Sequence, residues 1–174
     1  MDEGDDEILR VIKRNVEMRM TLLREKKFAE LRKFLDETYG AKPDQRHAYE
    51  CKVLWEEGKQ DQALDEAVNR LKSGEYNVHH IILCATYAWK LRRKDVADYL
   101  GLSFKSKELE TSSIVLAQFV YRELNGLEVS DEMRHTAWML GADHDGPMGT
   151  GKTIELEFVM EPEHQHMRLT ARQT

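Results

Sequence analysis

Ile8, Val11, Ile12, Val16, Met20 and Leu23 recur at three- and four-residue steps, which predicts a helix with one apolar face running to about residue 24. The carboxylates of Asp5, Asp6 and Glu7 suit its N-terminus, where they meet the positive end of the helix dipole. A second helix, 28–39, carries Phe28, Leu31, Phe34 and Leu35 and stops at Gly40 before Pro43. The same reading gives helices over 45–57 and 61–72, with Gly58 between them and Ser73 and Gly74 after, and then over 78–90 and 95–100. Beyond Gly101 the pattern loosens into a longer connection, 102–107. Helix resumes near Thr111 with Ile114, Val115, Leu116, Phe119, Val120 and Leu124 facing inward, and Ser130, Asp131 and Glu132 read as the cap of a last helix reaching Leu140.

These helices come in pairs with an apparent period. Ala29, Ala63 and Ala97 stand 34 residues apart, each near the start of the second helix of a pair. Trp55 and Trp89 keep that step, as do Tyr87 and Tyr121; Leu23 with Leu91, and Gly58 with Gly126, keep it twice over. A fourth unit retains its turn glycine but has Asp131 where the alanine would fall. A helical hairpin of this length cannot bury its apolar face alone and must stack on its neighbours. On these residues, residues 8–140 resemble the tetratricopeptide repeat (TPR) family in a divergent form. The chain departs from that family where a glycine or alanine is expected in each first helix: Glu17, Cys51, Ala85 and Phe119 stand there, and only Ala85 agrees.

The resemblance implies a superhelix whose concave face is lined by first helices and holds a partner peptide. Arg14, Met18, Gln45, Tyr49, Lys52, His79, Leu83 and Thr86 are the residues it turns toward that groove. One subclass clamps the C-terminal carboxylate of chaperone tails with basic and amide side chains. Here the basic positions of that clamp fall on Arg14, His79 and Leu83 and the amide positions on Met18 and Tyr49, so the convergent donors that carboxylate capture needs are missing.

Composition narrows the classes further. A chain of 174 residues holds one domain or one short array, and 33% charged residues with three prolines and ten glycines favour long helices. A net charge of -6 gives no support to a general nucleic-acid binder, which needs a concentrated positive surface, and the expectation is of no nucleic-acid partner. No apolar run reaches the length of a membrane span, and the acidic start is unlike a secretory signal, so the expectation is a soluble, cytoplasmic protein without direct membrane insertion. Cys51 and Cys84 are expected to be reduced, buried thiols.

The sharpest short motif lies outside the repeats. Residues 146–153 read GPMGTGKT, the phosphate-binding loop pattern, similar to the loops of AAA+ ATPases. In such a loop Gly146 and Gly151 would let backbone N–H groups cradle phosphate, Lys152 would reach the outer phosphates and Thr153 would ligate magnesium. Its context is wrong: acidic Asp143 and Asp145 precede it, an alternating, strand-like stretch follows, and 21 residues after Thr153 cannot supply the rest of a nucleotide site. His144, or His164 with His166, lacks the set of ligands that a metal needs, and His79 and His80, being adjacent on a helix, cannot share a face.

The sequence therefore predicts an all-α, TPR-like helical-hairpin solenoid of three to four hairpins over 8–140. An acidic segment, 1–7, precedes it, and a Gly-rich linker with a short extended or β-hairpin tail, 141–174, follows. The expected role is that of a non-enzymatic adaptor or assembly subunit. It would bind a protein or peptide partner through the groove or the tail without a cofactor, and homo-oligomer formation is compatible with it. The competing expectation is ATP binding through Gly146, Gly151, Lys152 and Thr153.

Overall fold

The computed structural model describes residues 3–75, 77–104, 112–142, 154–160 and 167–173. The fold is all-α. Its helices are α1 (Glu3–Arg24), α2 (Phe28–Tyr39), α3 (Pro43–Glu56), α4 (Gln60–Ser73), α5 (Val78–Leu91), α6 (Lys94–Ser103), α7 (Ser112–Leu124) and α8 (Asp131–Ala142). Two strands follow, β1 (Ile154–Met160) and β2 (Met167–Gln173), paired antiparallel from Ile154 opposite Gln173 to Met160 opposite Met167. Each helix packs on its chain neighbour, and α5 also packs on both α3 and α7.

The four turns that close the helix pairs share one backbone device. Lys26, Gly58, Arg92 and Gly126 adopt left-handed φ values of 55°, 82°, 54° and 66°. In each turn the N–H of the following residue reaches back to close the first helix: Lys27 to Leu22 O, Lys59 to Leu54 O, Arg93 to Ala88 O and Leu127 to Arg122 O. This is the Schellman arrangement, which satisfies the last carbonyls of a helix. The turns are spaced 32, 34 and 34 residues apart, so the first step is two residues short of the sequence period.

That shortening changes which residues correspond. The first N–H bond of each second helix is made by Leu31 to Lys27 O, Ala63 to Lys59 O, Ala97 to Arg93 O and Arg134 to Ser130 O. Leu31, Ala63 and Ala97 are buried at that place, whereas Ala29 is exposed and outside the series. The cause is length: α2 has 12 residues where α4 has 14. In the shifted register Leu23, Trp55 and Trp89 become equivalents.

Among the helix ends that differ from the sequence expectation, two have a clear local cause. Helix α3 begins at Pro43 because proline lacks an N–H and has a helix-like φ, both tolerated in the first turn. Helix α6 continues through Gly101 to Ser103 instead of stopping at the glycine. Gly101 is there for contact: a Cβ on it would fall within the Tyr121 ring of α7. Gln118 of α7 then donates to the carbonyls of Gly101 (3.1 Å) and Phe104 (2.7 Å), capping the end of α6.

The core is in two parts. The larger runs through α3 to α8 and includes Leu54, Leu64, Leu71, Cys84, Leu100, Leu116, Phe119 and Val120. Trp55 stacks on Tyr87 at 4.0 Å between ring centres and Trp89 tilts against Phe119 at 5.5 Å, so each periodic tryptophan meets an aromatic ring of the next hairpin. The smaller part, Leu22, Leu31, Leu35 and Val53, holds α1 and α2 against α3. Its rim is polar: Arg32 forks onto Glu57 (2.6 and 3.0 Å) and reaches Glu50 (2.8 Å), while Arg46 bridges Asp36 (2.7 Å) and Glu50 (2.9 Å).

Candidate functional site

Tyr49 on α3 is the centre of a cationic and aromatic cluster built from four helices. Its ring lies 4.7 Å from that of Tyr39, at the end of α2, and both pack on the smaller core. The Arg19 guanidinium of α1 stands 4.3 Å over the Tyr49 ring and donates to Tyr39 Oη at 3.3 Å. On the same ring, from the next turn of α3, lies the Lys52 ammonium at 5.6 Å. Cations over aromatic faces gain from the ring quadrupole, most where water is partly excluded.

The electrostatics of the cluster are one-sided. Burial pulls the Lys52 ammonium down to about 8, and the positive charge of Arg19 pushes the same way. His79, exposed at the start of α5, is also lowered, first by desolvation and then by Lys52 and Arg19. Burial raises the Tyr39 phenol, and its contact with Tyr49 adds to that. Among the described residues, no carboxylate forms an ion pair with Lys52. A half-buried ammonium without an anionic partner is costly, and the cost falls when a negative group is brought to it. The concentration of cations is the more notable in a chain whose net charge is -6.

Of the groove residues expected from the sequence, Tyr49, Lys52 and His79 come together here. Arg14 and Met18 are exposed on α1, and Gln45 is partly exposed near the start of α3. Leu83 and Thr86 are only 5% and 4% exposed and belong to the interior of α5, so they offer a partner almost no surface. Arg19 and Tyr39 were absent from the expected set. The signal for Arg19 was hidden by the two-residue shift: in the 34-residue register Glu17 aligns with Cys51 and Ala85, but the 32-residue step puts Arg19 there. The same shift moves the first two clamp positions from Arg14 and Met18 to Val16 and Met20, which removes the one clear cation from the carboxylate-clamp pattern.

A second polar group lies inside the fold. His80 is completely buried on α5, and its Nδ1 accepts from the Asn77 N–H (3.3 Å) while Asn77 Oδ1 accepts from the His79 N–H (3.0 Å), a reciprocal cap for α5. An Nδ1 that accepts leaves the proton on Nε2, which then donates to His47 Nδ1 at 3.0 Å. His47 Nε2 faces Glu66 at 3.8 Å. Burial, with the neighbouring His47 adding to it, pulls His80 down to about 4. Cys51, 3.8 Å from His47 Nδ1, is pushed up to about 12 by burial and remains a thiol. Cys51 and Cys84 are both free and buried. Among the described residues, no three His, Cys, Asp or Glu side chains are placed to hold a metal ion.

A cleft of about 290 Å³ between α4 and α6 is lined by Asp65, Lys72, Arg93, Asp95 and Tyr99 among others. Arg93 is engaged there with Asp95 (2.8 Å), Asp61 and Asp65 (both 3.7 Å), and the Lys72 ammonium lies 5.4 Å over the Tyr99 ring. Gly146, Gly151, Lys152 and Thr153, with the histidines at 144, 164 and 166, lie outside the described residues. Strand β1 starts at Ile154, where a working phosphate loop would continue into a helix. No helix among the described residues is long and apolar enough to cross a membrane. No protein-family model, curated protein or solved structure matches the chain.

Proposed function

We propose that this protein is a non-enzymatic adaptor or assembly subunit, a divergent TPR-like stack of four hairpins that binds an acidic segment of a partner protein across α1, α3 and α5. The observation that carries this reading is Lys52, a desolvated ammonium held beside Arg19 and His79 without a carboxylate. An acidic side chain of the partner would supply the missing anion, and Tyr39 and Tyr49 would give the segment an apolar floor. Charge selects the partner and steers its approach, while the aromatic surface contributes burial. The packing of each helix on the next, together with α5 on α3 and α7, supports the stacked arrangement.

The reading has a proton signature. An anion bound to Lys52 raises its affinity for a proton, so binding near pH 8 takes up protons from solution and tightens as pH falls through about 8. Titration calorimetry of an aspartate- and glutamate-rich peptide, in two buffers of different ionisation enthalpy, measures that uptake. Lys52→Met should remove the uptake and weaken binding about tenfold or more. Equal binding by wild type and Lys52→Met would refute the assignment of this face. Magnesium-dependent binding of ATP that disappears in Lys152→Ala would instead favour the loop at 146–153.

A further inference from the structure

Helix α1 is far longer than the helix it packs on. Its 22 residues span about 33 Å against about 18 Å for the 12 residues of α2. The buried contact is at the C-terminal end, where Leu22 meets Leu31 and Leu35. α1 runs past α2 toward the N-terminus, and along its length it carries a stripe left exposed among the described residues: Ile8, Leu9, Ile12, Val16 and Met20 are between 40% and 61% exposed, with Val11 and Met18 exposed at its side. Four of them follow one another at four-residue steps with Leu9 alongside, so they share one side of the helix. Scattered exposed apolar residues are ordinary, but a continuous stripe of this kind marks a contact surface.

The charge pattern of α1 specifies the occupant. The first turns hold Glu3, Asp5, Asp6 and Glu7; the rest of the helix holds Arg10, Lys13, Arg14, Arg19 and Arg24 against Glu17 alone. A helix acidic at one end and basic at the other is complementary to its own copy laid head to tail. Pairing in the same direction would set acid on acid and base on base. The helix dipoles favour the antiparallel arrangement too, with each negative end beside the other's positive end.

We propose that α1 pairs antiparallel with α1 of a second copy, crossing near residue 14. In that register Ile8 lies against the second copy's Met20, and Ile12 against its Val16, each contact occurring twice by symmetry, as an isologous interface requires. The acidic first turn then runs beside the second copy's Arg24, and Lys13 flanks its Glu17. Arg14 projects from the opposite side of the helix, clear of its counterpart. The covered stripe amounts to on the order of 1,000 Å² over the pair, the lower bound of a specific interface.

Sedimentation velocity on the full chain from about 1 to about 100 µM tests the pairing. A dimer that forms within that range is expected, weakening as salt is raised. Ile12→Glu with Val16→Glu should hold the protein monomeric, with circular dichroism confirming unchanged helix content since both positions are exposed. Direction is read by cysteine cross-linking: a mixture of Ile8→Cys and Met20→Cys chains should join, whereas Ile8→Cys alone should not. A monomer at every concentration, a dimer that survives the double charge substitution, or efficient joining of Ile8→Cys to itself would each overturn the proposal.

Discussion

Acidification should unfold this protein mainly through one imidazole. His80 is fully enclosed and neutral, with Asn77 N–H donating to its Nδ1 and its own Nε2–H donating to His47. Desolvation holds it at about 4, against 6.5 for an ordinary histidine, with His47, Arg70 and His79 acting in the same direction and Asp44 opposing them. In the unfolded chain the same ring takes up a proton near its ordinary value. The folded state therefore keeps its full stability above about pH 6.5 and loses it as pH falls toward about 4, at about 1.4 kcal/mol per pH unit and about 3 kcal/mol in all. His47 and His79, also lowered by burial, add to the loss with the same sign. The Glu57 carboxylate, held at about 2 by Arg32 and then Lys59, acts in a separate window below about 4.5. Urea unfolding followed by circular dichroism at pH 7.5, 6.5, 5.5 and 4.5 measures the slope. His80→Gln, which keeps an amide in place of the ring, should cost about 1–2 kcal/mol at pH 7.5 and flatten the slope between pH 6.5 and 4.5. A variant as pH-sensitive as wild type would refute the assignment of the slope to His80.

Two backbone positions give independent checks by thermal or urea unfolding. Lys26 holds a left-handed φ of 55° without glycine's freedom, so Lys26→Gly should stabilise by about 0.5–1 kcal/mol, and a loss of stability would contradict the turn geometry. Gly101→Ala forces a methyl group into the Tyr121 ring and should destabilise by about 2 kcal/mol, whereas the pairing Gly101→Ala with Tyr121→Ala should recover part of that loss; additivity of the two changes would show that they do not meet.

Hydrophobic spacing revealed the helix pairs because amphipathic periodicity survives local irregularity. It placed the turns at Gly58 and Gly126 for the correct reason, since those glycines take up the left-handed conformation. Lys26 and Arg92 serve the same purpose with side chains that give no such signal, and without them the 32-residue first step could not be seen. Ala29 then fell into line with Ala63 and Ala97 by coincidence of composition, while Leu31 holds the equivalent place. Gly101 looked like a stop because sequence alone does not reveal a ring arriving from another helix. The expected groove was read from register alone, so it included Leu83 and Thr86, whose side of α5 is taken up by neighbouring helices, and missed Tyr39, which comes from a second helix. Lys52 was identified as a position, but its electrostatic importance depends first on its burial and then on the approach of Arg19 from 33 residues earlier, both of which are properties of the packing.

The division of the core also gives the cationic face a mechanical property. Arg19 and Tyr39 belong to a leaf of two helices held by four buried side chains, Leu22, Leu31, Leu35 and Val53, whereas Lys52 and His79 are anchored in helices that contribute to the larger core. The face thus straddles the seam between a thinly fastened leaf and a firmly built body. A partner segment bound across it, as proposed above, would grip both sides at once, and its binding would then be linked to the stability of the leaf.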